Sequence, residues 1–399
     1  MFDFNIALQS LIGITIFLGL LFFFLLGYTF WTRKKQQYWN QYEQKFRDYF
    51  FSIILDYAEQ SNPKLDADEI IKKISKRTKD YSFFIKLLNE LDDILDGTER
   101  ERLNDLIEHP TFVSFYQKKL FQFSTDSKIY ACIYFQKSAH LDSRILAKLI
   151  TISKSKNLKL AFAATKALQS ADDWTIRKSA LMRFFKRKDT SELMVAELLH
   201  VFDSGLAEDR EQVGKALKDL LLKKIDPDIK NIIVRYMGYQ QFYECSEFLY
   251  QYLKRIHHSP KKHSLIRGLI IALGELFHTE ASSTIRSYWE KEKNISIRLA
   301  AIKALSTFGG KENLSFLLQH LFKAEFPIRK AIIYEFMTED KDRIALLTAF
   351  IKKTLQSLSD MSIESGGSRE QFDLYLDRVL DTTSGIKIAL NHRLNKSHA

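Results

Sequence analysis

Three histidines in the segment HHSPKKH, His257, His258 and His263, form the densest group of possible metal ligands in the chain. Protein zinc sites combine histidine with cysteine or carboxylate ligands at defined spacings. This segment contains neither, and Lys261 and Lys262 would repel a cation. We therefore predict a loop between two helices here, and neither a metal site nor a cofactor site.

Two pairs of neighbouring carboxylates, Asp172 with Asp173 and Asp340 with Asp342, offer residue types that serve general acid–base catalysis. Both pairs stand at predicted helix boundaries, where an aspartate caps the first turn and is favoured by the positive end of the helix dipole. The chain also contains no P-loop, GxGxxG, HExxH or GxSxG motif. We therefore predict that the protein is not an enzyme.

Composition narrows the class of protein further. The 399 residues include 14 Gly and 5 Pro, and 46% are hydrophobic, which favours helices around a continuous core over an all-β or a disordered chain. Two cysteines, Cys132 and Cys245, are too few and too far apart for a disulfide framework or a CxxC metal site. The net charge of +11 suits either nucleic acid or the anionic inner face of a membrane.

A repeated phrase points to the elements that would position any binding surface. Arg267, Arg298 and Arg329 are spaced 31 residues apart, and each follows an Ile and opens an apolar pattern of helical length. The segments EASSTIRSYWEKEKN and KENLSFLLQHLFKAE, which lie between the phrases, read as second helices. Because one helix pair cannot cover its own apolar faces, this spacing predicts a stack of helix pairs.

Earlier copies of the phrase are less regular. Lys230 takes the place of the arginine 37 residues before Arg267. Still earlier, LAFAATKALQS matches the pattern of SIRLAAIKALST, but TIRKSALMRFF carries its own Ile176 and Arg177. These two assignments exclude each other, so the phase of the repeat before residue 228 stays open.

These phrases resemble the HEAT-repeat family in its short bacterial form, closely over residues 263–340 and more weakly over 127–262. The resemblance implies an all-α solenoid of antiparallel helix pairs, also described as armadillo-like, that binds other macromolecules along its concave face. It also implies that the helix opened by the arginine lines that face. We predict that Arg267, Arg298 and Arg329 themselves are structural and register one helix pair against the next, since a guanidinium supports several hydrogen bonds.

The position five residues after each arginine is predicted to point away from the core. Lys166, Arg235, Ala272, Lys303 and Tyr334 take this position in successive copies. A basic ridge of Lys166, Arg235 and Lys303 ending in Tyr334 would receive an acidic protein segment or an anionic headgroup. The alternative is that these cations only keep helix surfaces soluble.

The first residues of the chain favour a membrane. No charged residue occurs from Phe4 to Thr32, a stretch longer than the roughly 20 residues that span a bilayer. We expect a single-pass anchor, uncleaved, that contacts the bilayer through residues 6–31, with the amino terminus outside and the remainder in the cytoplasm. A buried core helix is the alternative. The predicted flanking residues are Tyr28, Trp31, Arg33, Lys34 and Lys35.

After the anchor, an aromatic stripe at helical spacing predicts a helix that either lies in the membrane interface or docks on the first repeats. The stripe contains Trp39, Tyr42, Phe46, Tyr49, Ile53 and Tyr57.

Together these features predict an all-α protein in four parts: an anchor over 1–35, a helical juxtamembrane region over 36–125, a HEAT-like solenoid over 126–358, and a linker with a C-terminal helix over 359–399. The predicted function is a membrane-anchored scaffold for protein–protein interaction on the cytoplasmic face of the inner membrane. A complex for envelope polysaccharide synthesis or signalling is the expected setting. A nucleic-acid-binding solenoid and a lyase-like enzyme on a HEAT-repeat scaffold are the alternatives.

Overall fold

A computed structural model describes residues 2–56, 63–74, 78–95, 97–138, 141–204, 210–256, 262–338 and 341–364. Over these ranges the chain is helical and contains no strand, so the all-α prediction is confirmed. The chain divides into two units, residues 1–172 and 173–399. Each unit is described by itself.

The described part of the first unit contains eight α-helices. They are α1 (Phe2–Asp56), α2 (Pro63–Ile74), α3 (Thr78–Ile94), α4 (Gly97–Glu108), α5 (Pro110–Leu120), α6 (Thr125–Lys137), α7 (Ser143–Ile152) and α8 (Leu158–Ala167). The described part of the second unit contains eleven. They are α9 (Trp174–Phe185), α10 (Glu192–Ser204), α11 (Arg210–Leu222), α12 (Pro227–Tyr239), α13 (Ser246–Arg255), α14 (His263–Glu275), α15 (Ser282–Lys291), α16 (Ile295–Phe308), α17 (Gly310–Leu321), α18 (Phe326–Thr338) and α19 (Lys341–Glu364).

The predicted membrane anchor falls within α1. Among the described residues, no helix is both long enough and apolar enough to cross a membrane. This finding contradicts the predicted transmembrane helix and the predicted inner-membrane location, and neither is retained.

The rest of α1 packs into the first unit through its aromatic stripe. Trp39, Tyr42 and Phe46 each place their ring within 6.3 Å of the ring of Phe83 in α3. Phe50 is fully buried, and its ring centroid lies 5.1 Å from that of Phe84. The stripe therefore packs on α3, within the region predicted to precede the repeats, and its docking on the first repeats stays a prediction.

In the second unit, helices alternate between two layers. The helices α10, α12, α14, α16 and α18 lie side by side, and we call them the groove layer. The helices α11, α13, α15, α17 and α19 each contact a groove-layer neighbour, and we call them the backing layer. The predicted pairs are therefore confirmed for α14 to α18. The competing phrase at Ile176 and Arg177 opens α9, which precedes the groove layer.

Small residues bring the groove-layer backbones close together. A Cβ atom added to Gly238 in α12 would lie 2.7 Å from the Cα atom of Ala272 in α14, and one added to Gly274 in α14 would lie 3.0 Å from the Cα atom of Ala304 in α16. No real Cβ atom fits at the first distance, so glycine is required there. The three helices consequently present one continuous surface.

Candidate functional site

The residue that caps each groove-layer helix sets its register. Asp226, Lys262 and Asn294 cap α12, α14 and α16. Ser191 and Glu325 hold the same place in α10 and α18, because their carbonyl groups accept hydrogen bonds from the amides four residues later. Equivalent positions are therefore 36 residues apart between α12 and α14, 32 between α14 and α16, and 31 between α16 and α18.

This register separates the three arginines of the repeated phrase. Arg298 and Arg329 stand fourth after the cap, whereas Arg267 stands fifth. The guanidinium of Arg298 lies 4.8 Å from the ring centroid of Trp289 in the backing layer, and Arg329 is 7% exposed. Arg267 is exposed. A shift of one residue turns a helical side chain by about 100° around the helix axis. This turn takes Arg267 away from the backing layer and onto the free side of the groove layer.

The fourth position of α12 also faces the backing layer. The ammonium group of Lys230 donates to the hydroxyl oxygen of Tyr252 in α13 at 3.1 Å. Cations at the fourth position of α12 and α16 therefore contact aromatic side chains behind them, as a structural role requires.

Two rows of side chains cross the free side of the groove layer, and none of their members is buried. The fifth-position row consists of Ala196, Asn231, Arg267, Leu299 and Lys330. The ninth-position row consists of His200, Arg235, Ile271, Lys303 and Tyr334. Three residues of the predicted ridge thus lie in one row. Lys166 is also ninth after its cap, Asn157, but belongs to α8 of the first unit.

Ala272, which the sequence alignment placed in the ridge, is fully buried against Gly238. Ile271 takes the ridge position instead, because the true interval between α14 and α16 is one residue longer than the spacing of the arginines.

Three members of each row line a groove of about 930 Å³: Ala196, Arg267 and Leu299 of the fifth-position row, and Arg235, Ile271 and Lys303 of the ninth-position row. Its cations, Arg235, Arg267 and Lys303, come from three successive helices. Its apolar side chains come from four helices, and Leu193 in α10 is 78% exposed. The apolar lining consists of Leu193, Ala196, Ile232, Ile271, Leu299 and Ala300. Such a surface combines exposed apolar area with a few charges, as protein-binding sites do.

The groove cations form no ion pair with any residue that the structure describes. Among the described residues, Arg235, Arg267 and Lys303 form no salt bridge and no side-chain hydrogen bond. The groove also holds two carboxylates, Glu192 and Glu275. Glu192 is the first residue of α10 and Glu275 is the last of α14, so the negative charges stand at the two margins of the groove.

Two tyrosines stand at the wall between α10 and α12. The hydroxyl of Tyr236 donates to the carboxylate of Asp203 at 2.7 Å. Burial first, and then this hydrogen bond and the charge of Asp203, raise the pKa of Tyr236 well above its usual value. Tyr236 is therefore neutral at physiological pH and is held in place, while Tyr239 is 78% exposed.

Residues that the sequence did not single out hold successive helix pairs together. The hydroxyl of Tyr252 in α13 donates to the carbonyl of Leu221 at 3.5 Å, and that of Tyr288 in α15 donates to the carbonyl of Leu253 at 3.0 Å. Arg343 in α19 donates to the hydroxyl and the carbonyl of Ser306 at 2.9 and 3.0 Å. The sequence signal that could have identified Tyr252 and Tyr288 is their spacing of 36 residues, close to the length of one helix pair.

The remaining predicted sites are placed as follows. Asp173 caps α9 by accepting a hydrogen bond from the amide of Thr175 at 2.7 Å, as predicted. His263 lies 3.0 Å from the side-chain nitrogen of Asn294, and His257 and His258 lie outside the described residues. Asp340 also lies outside them, as does most of the predicted linker and C-terminal helix.

The predicted membrane-flanking residues lie on α1. Tyr28 and Trp31 are more than half exposed. The ammonium of Lys34 lies 4.8 Å from the ring centroid of Phe30 and that of Lys35 lies 4.5 Å from that of Trp31. Arg33 is exposed beside them. The predicted bilayer contact of residues 6–31 depended on the anchor and is not carried further.

Comparison with known proteins identifies no family for this chain. No family model matches it, and no curated protein matches it. Among solved structures, 35 chains match. One is the crystal structure of an engineered protein from the Northeast Structural Genomics Consortium, with 10% sequence identity, coverage of 84% of this chain and 98% of that chain, and a TM-score of 0.33. A likeness at that score carries no argument, so the HEAT-repeat resemblance stays a prediction.

Proposed function

We propose that the protein is a scaffold of the α-solenoid type that binds a protein partner in the groove of its second unit. The observation that carries this proposal is the shared groove itself, in which cations without partners and exposed aliphatic side chains come from successive helices. The HEAT-like phrases of the sequence agree with such a role. The assignment to polysaccharide synthesis or signalling remains a prediction.

A protein partner suits the lining better than a nucleic acid does. Protein interfaces combine an apolar centre with a polar rim, and their binding energy concentrates in a few residues, among which Trp, Tyr and Arg are enriched. Ile271 and Leu299 lie between the cations of the groove, where a phosphate backbone would leave them without a complementary surface. Glu192 and Glu275 at the margins would repel phosphates.

Site-directed crosslinking tests the proposal. A photo-crosslinking amino acid at Ile271 of the full chain should capture a defined protein in its native cells, whereas one at Glu290, exposed on the backing-layer helix α15, should not. The captured protein is then purified, and its affinity is measured for the unmodified chain and for Arg235→Glu with Lys303→Glu. We expect at least a tenfold loss of affinity. Equal capture at both positions, or equal affinity for both chains, contradicts the proposal.

A further inference from the structure

The cations of the groove layer alternate in height from helix to helix. Arg235 is ninth in α12, Arg267 is fifth in α14, Lys303 is ninth in α16 and Lys330 is fifth in α18. The fifth and ninth positions lie on one face, about 6 Å apart along the helix axis. The four charges therefore follow a zigzag line across the layer.

Aliphatic side chains occupy the alternate corners of the same zigzag. Ile271 is ninth in α14, beside the cation Arg267 at the fifth position. Leu299 is fifth in α16, beside the cation Lys303 at the ninth. Each of these two helices thus offers one cation and one partly exposed aliphatic side chain, and the order reverses between them.

The placement of the carboxylates defines the path of a ligand. Glu192 stands first after its cap and Glu275 stands thirteenth, a separation of about 18 Å along the helix direction. A single chain that crosses the helices along the two middle rows avoids both carboxylates. A polyanion as wide as a nucleic-acid duplex overlaps at least one of them.

We propose that the groove binds an extended acidic segment of a protein, in which carboxylates recur at about every third residue and aliphatic side chains stand between them. Packed helices are about 8–10 Å apart. A chain in the extended polyproline II conformation has three residues per turn and advances about 3.1 Å per residue, so every third side chain faces the groove about one helix spacing after the last. The carboxylates pair with Arg235, Arg267 and Lys303, and the aliphatic side chains contact Ile271 and Leu299. This inference rests on the proposed function.

Synthetic peptides test the spacing directly. The probe is a fluorescein-labelled peptide of about ten residues with Asp at every third position and Leu between, a spacing that matches the helix spacing for a polyproline II chain. Its control has the same composition with the Asp residues contiguous. Measured by fluorescence anisotropy on the full chain at about 0.15 M salt, the spaced peptide should bind at least ~10-fold more tightly than the control. Equal affinities overturn the inference.

Charge reversal supplies the second arm of the experiment. Arg267→Glu should weaken the spaced peptide at least ~10-fold, and a peptide with Lys in place of the middle Asp should recover affinity for that variant. Lys352→Glu is the matched control, because Lys352 is an exposed cation of α19 in the backing layer. An equal loss with Lys352→Glu, or no recovery, contradicts the inference.

Two further outcomes separate this inference from the scaffold proposal. If a single-stranded oligonucleotide binds more tightly than the spaced peptide and loses affinity with Arg267→Glu, the ligand is a nucleic acid and the acidic segment is wrong. If binding of the crosslinked protein requires Arg235 and Lys303 but the spaced peptide does not bind, the scaffold proposal is retained and the inference of an extended acidic segment is contradicted.

Discussion

The first turns of α14 and α16 begin with the same Ile-Arg pair but use it in opposite ways. In α16, Arg298 is fourth after the cap and rests on the buried ring of Trp289. In α14, Ile266 is fourth and fully buried, and Arg267 is fifth and exposed in the groove. The difference shows that the distance from the helix cap, and not the residue pair, decides whether an arginine supports the core or lines the binding surface.

Exchanging Ile266 and Arg267 in α14 should have the largest effect on stability among the tests of this comparison. Ile266→Arg together with Arg267→Ile places a guanidinium where a fully buried aliphatic side chain stands. We expect a loss of roughly 4 kcal/mol in the free energy of unfolding, measured by urea denaturation, because burying a charge without a partner is among the most costly substitutions.

The reciprocal exchange in α16 is the control. Arg298→Leu with Leu299→Arg leaves an aliphatic side chain against Trp289 and moves the cation to a partly exposed position. It should cost about 1 kcal/mol or less. Similar losses for the two exchanges would contradict the difference in register.

The ends of the same two helices differ as well. Phe277, just after α14, has a φ of 51°, and Gly309, just after α16, has a φ of 63° and a ψ of −145°. The second conformation is open almost only to glycine, so Gly309→Ala should lower the free energy of unfolding by about 2 kcal/mol. Phe277→Gly should change it little or raise it by about 0.5 kcal/mol, since it removes left-handed strain at an exposed residue. Thermal unfolding of both variants measures these changes. A loss of stability in Phe277→Gly as large as the loss in Gly309→Ala would contradict the predicted difference.

Single alanine substitutions sharpen the comparison between the two arginines. Arg298→Ala removes the contact with Trp289 and should lower the free energy of unfolding by about 1.5 kcal/mol. Arg267→Ala should change stability by no more than about 0.5 kcal/mol. Urea denaturation measures the stability of both variants. The affinity for the crosslinked partner tests the binding role of Arg267. If Arg267→Ala destabilises the chain but leaves partner binding unchanged, Arg267 has a structural role and does not line the binding surface.

At neutral pH the smallest expected effect comes from Tyr288 in α15, the backing-layer helix that carries Trp289. Burial first, and then the charge of Glu292, raise the pKa of Tyr288 to about 12. The folded chain holds this proton more tightly than the unfolded chain, whose tyrosine pKa is about 10. The resulting stability is fully present below pH 10 and is lost as the pH rises from 10 to 12.

Tyr288→Phe should therefore flatten the loss of thermal stability in this alkaline range. At neutral pH it should cost about 1 kcal/mol, because it removes the hydrogen bond to the carbonyl of Leu253. Parallel curves for the two chains above pH 10 would show that Tyr288 ionises normally in the fold.

Much of the fold followed from local pattern. Apolar residues at helical spacing predicted α14, α16 and α18 with α15 and α17 between them, and the structure has those helices. Of the ridge, Arg235, Lys303 and Tyr334 do share one row. The error at Ala272 arose because the arginines are 31 residues apart where the helices are 32 apart. The anchor over 1–35 was the larger error, since no helix among the described residues is long enough and apolar enough to cross a membrane.

The sequence by itself determined that this chain is helical, that helix pairs repeat from α14 to α18, and which side chains are apolar enough to pack between layers. Tertiary structure alone decided which side of each helix a given cation faces, since a shift of one residue turns it by about 100° and the lengths of the preceding loops set that shift. It also decided that Arg235, Arg267 and Lys303 share one groove, because α12, α14 and α16 pack side by side, with Gly238 and Gly274 at their close contacts.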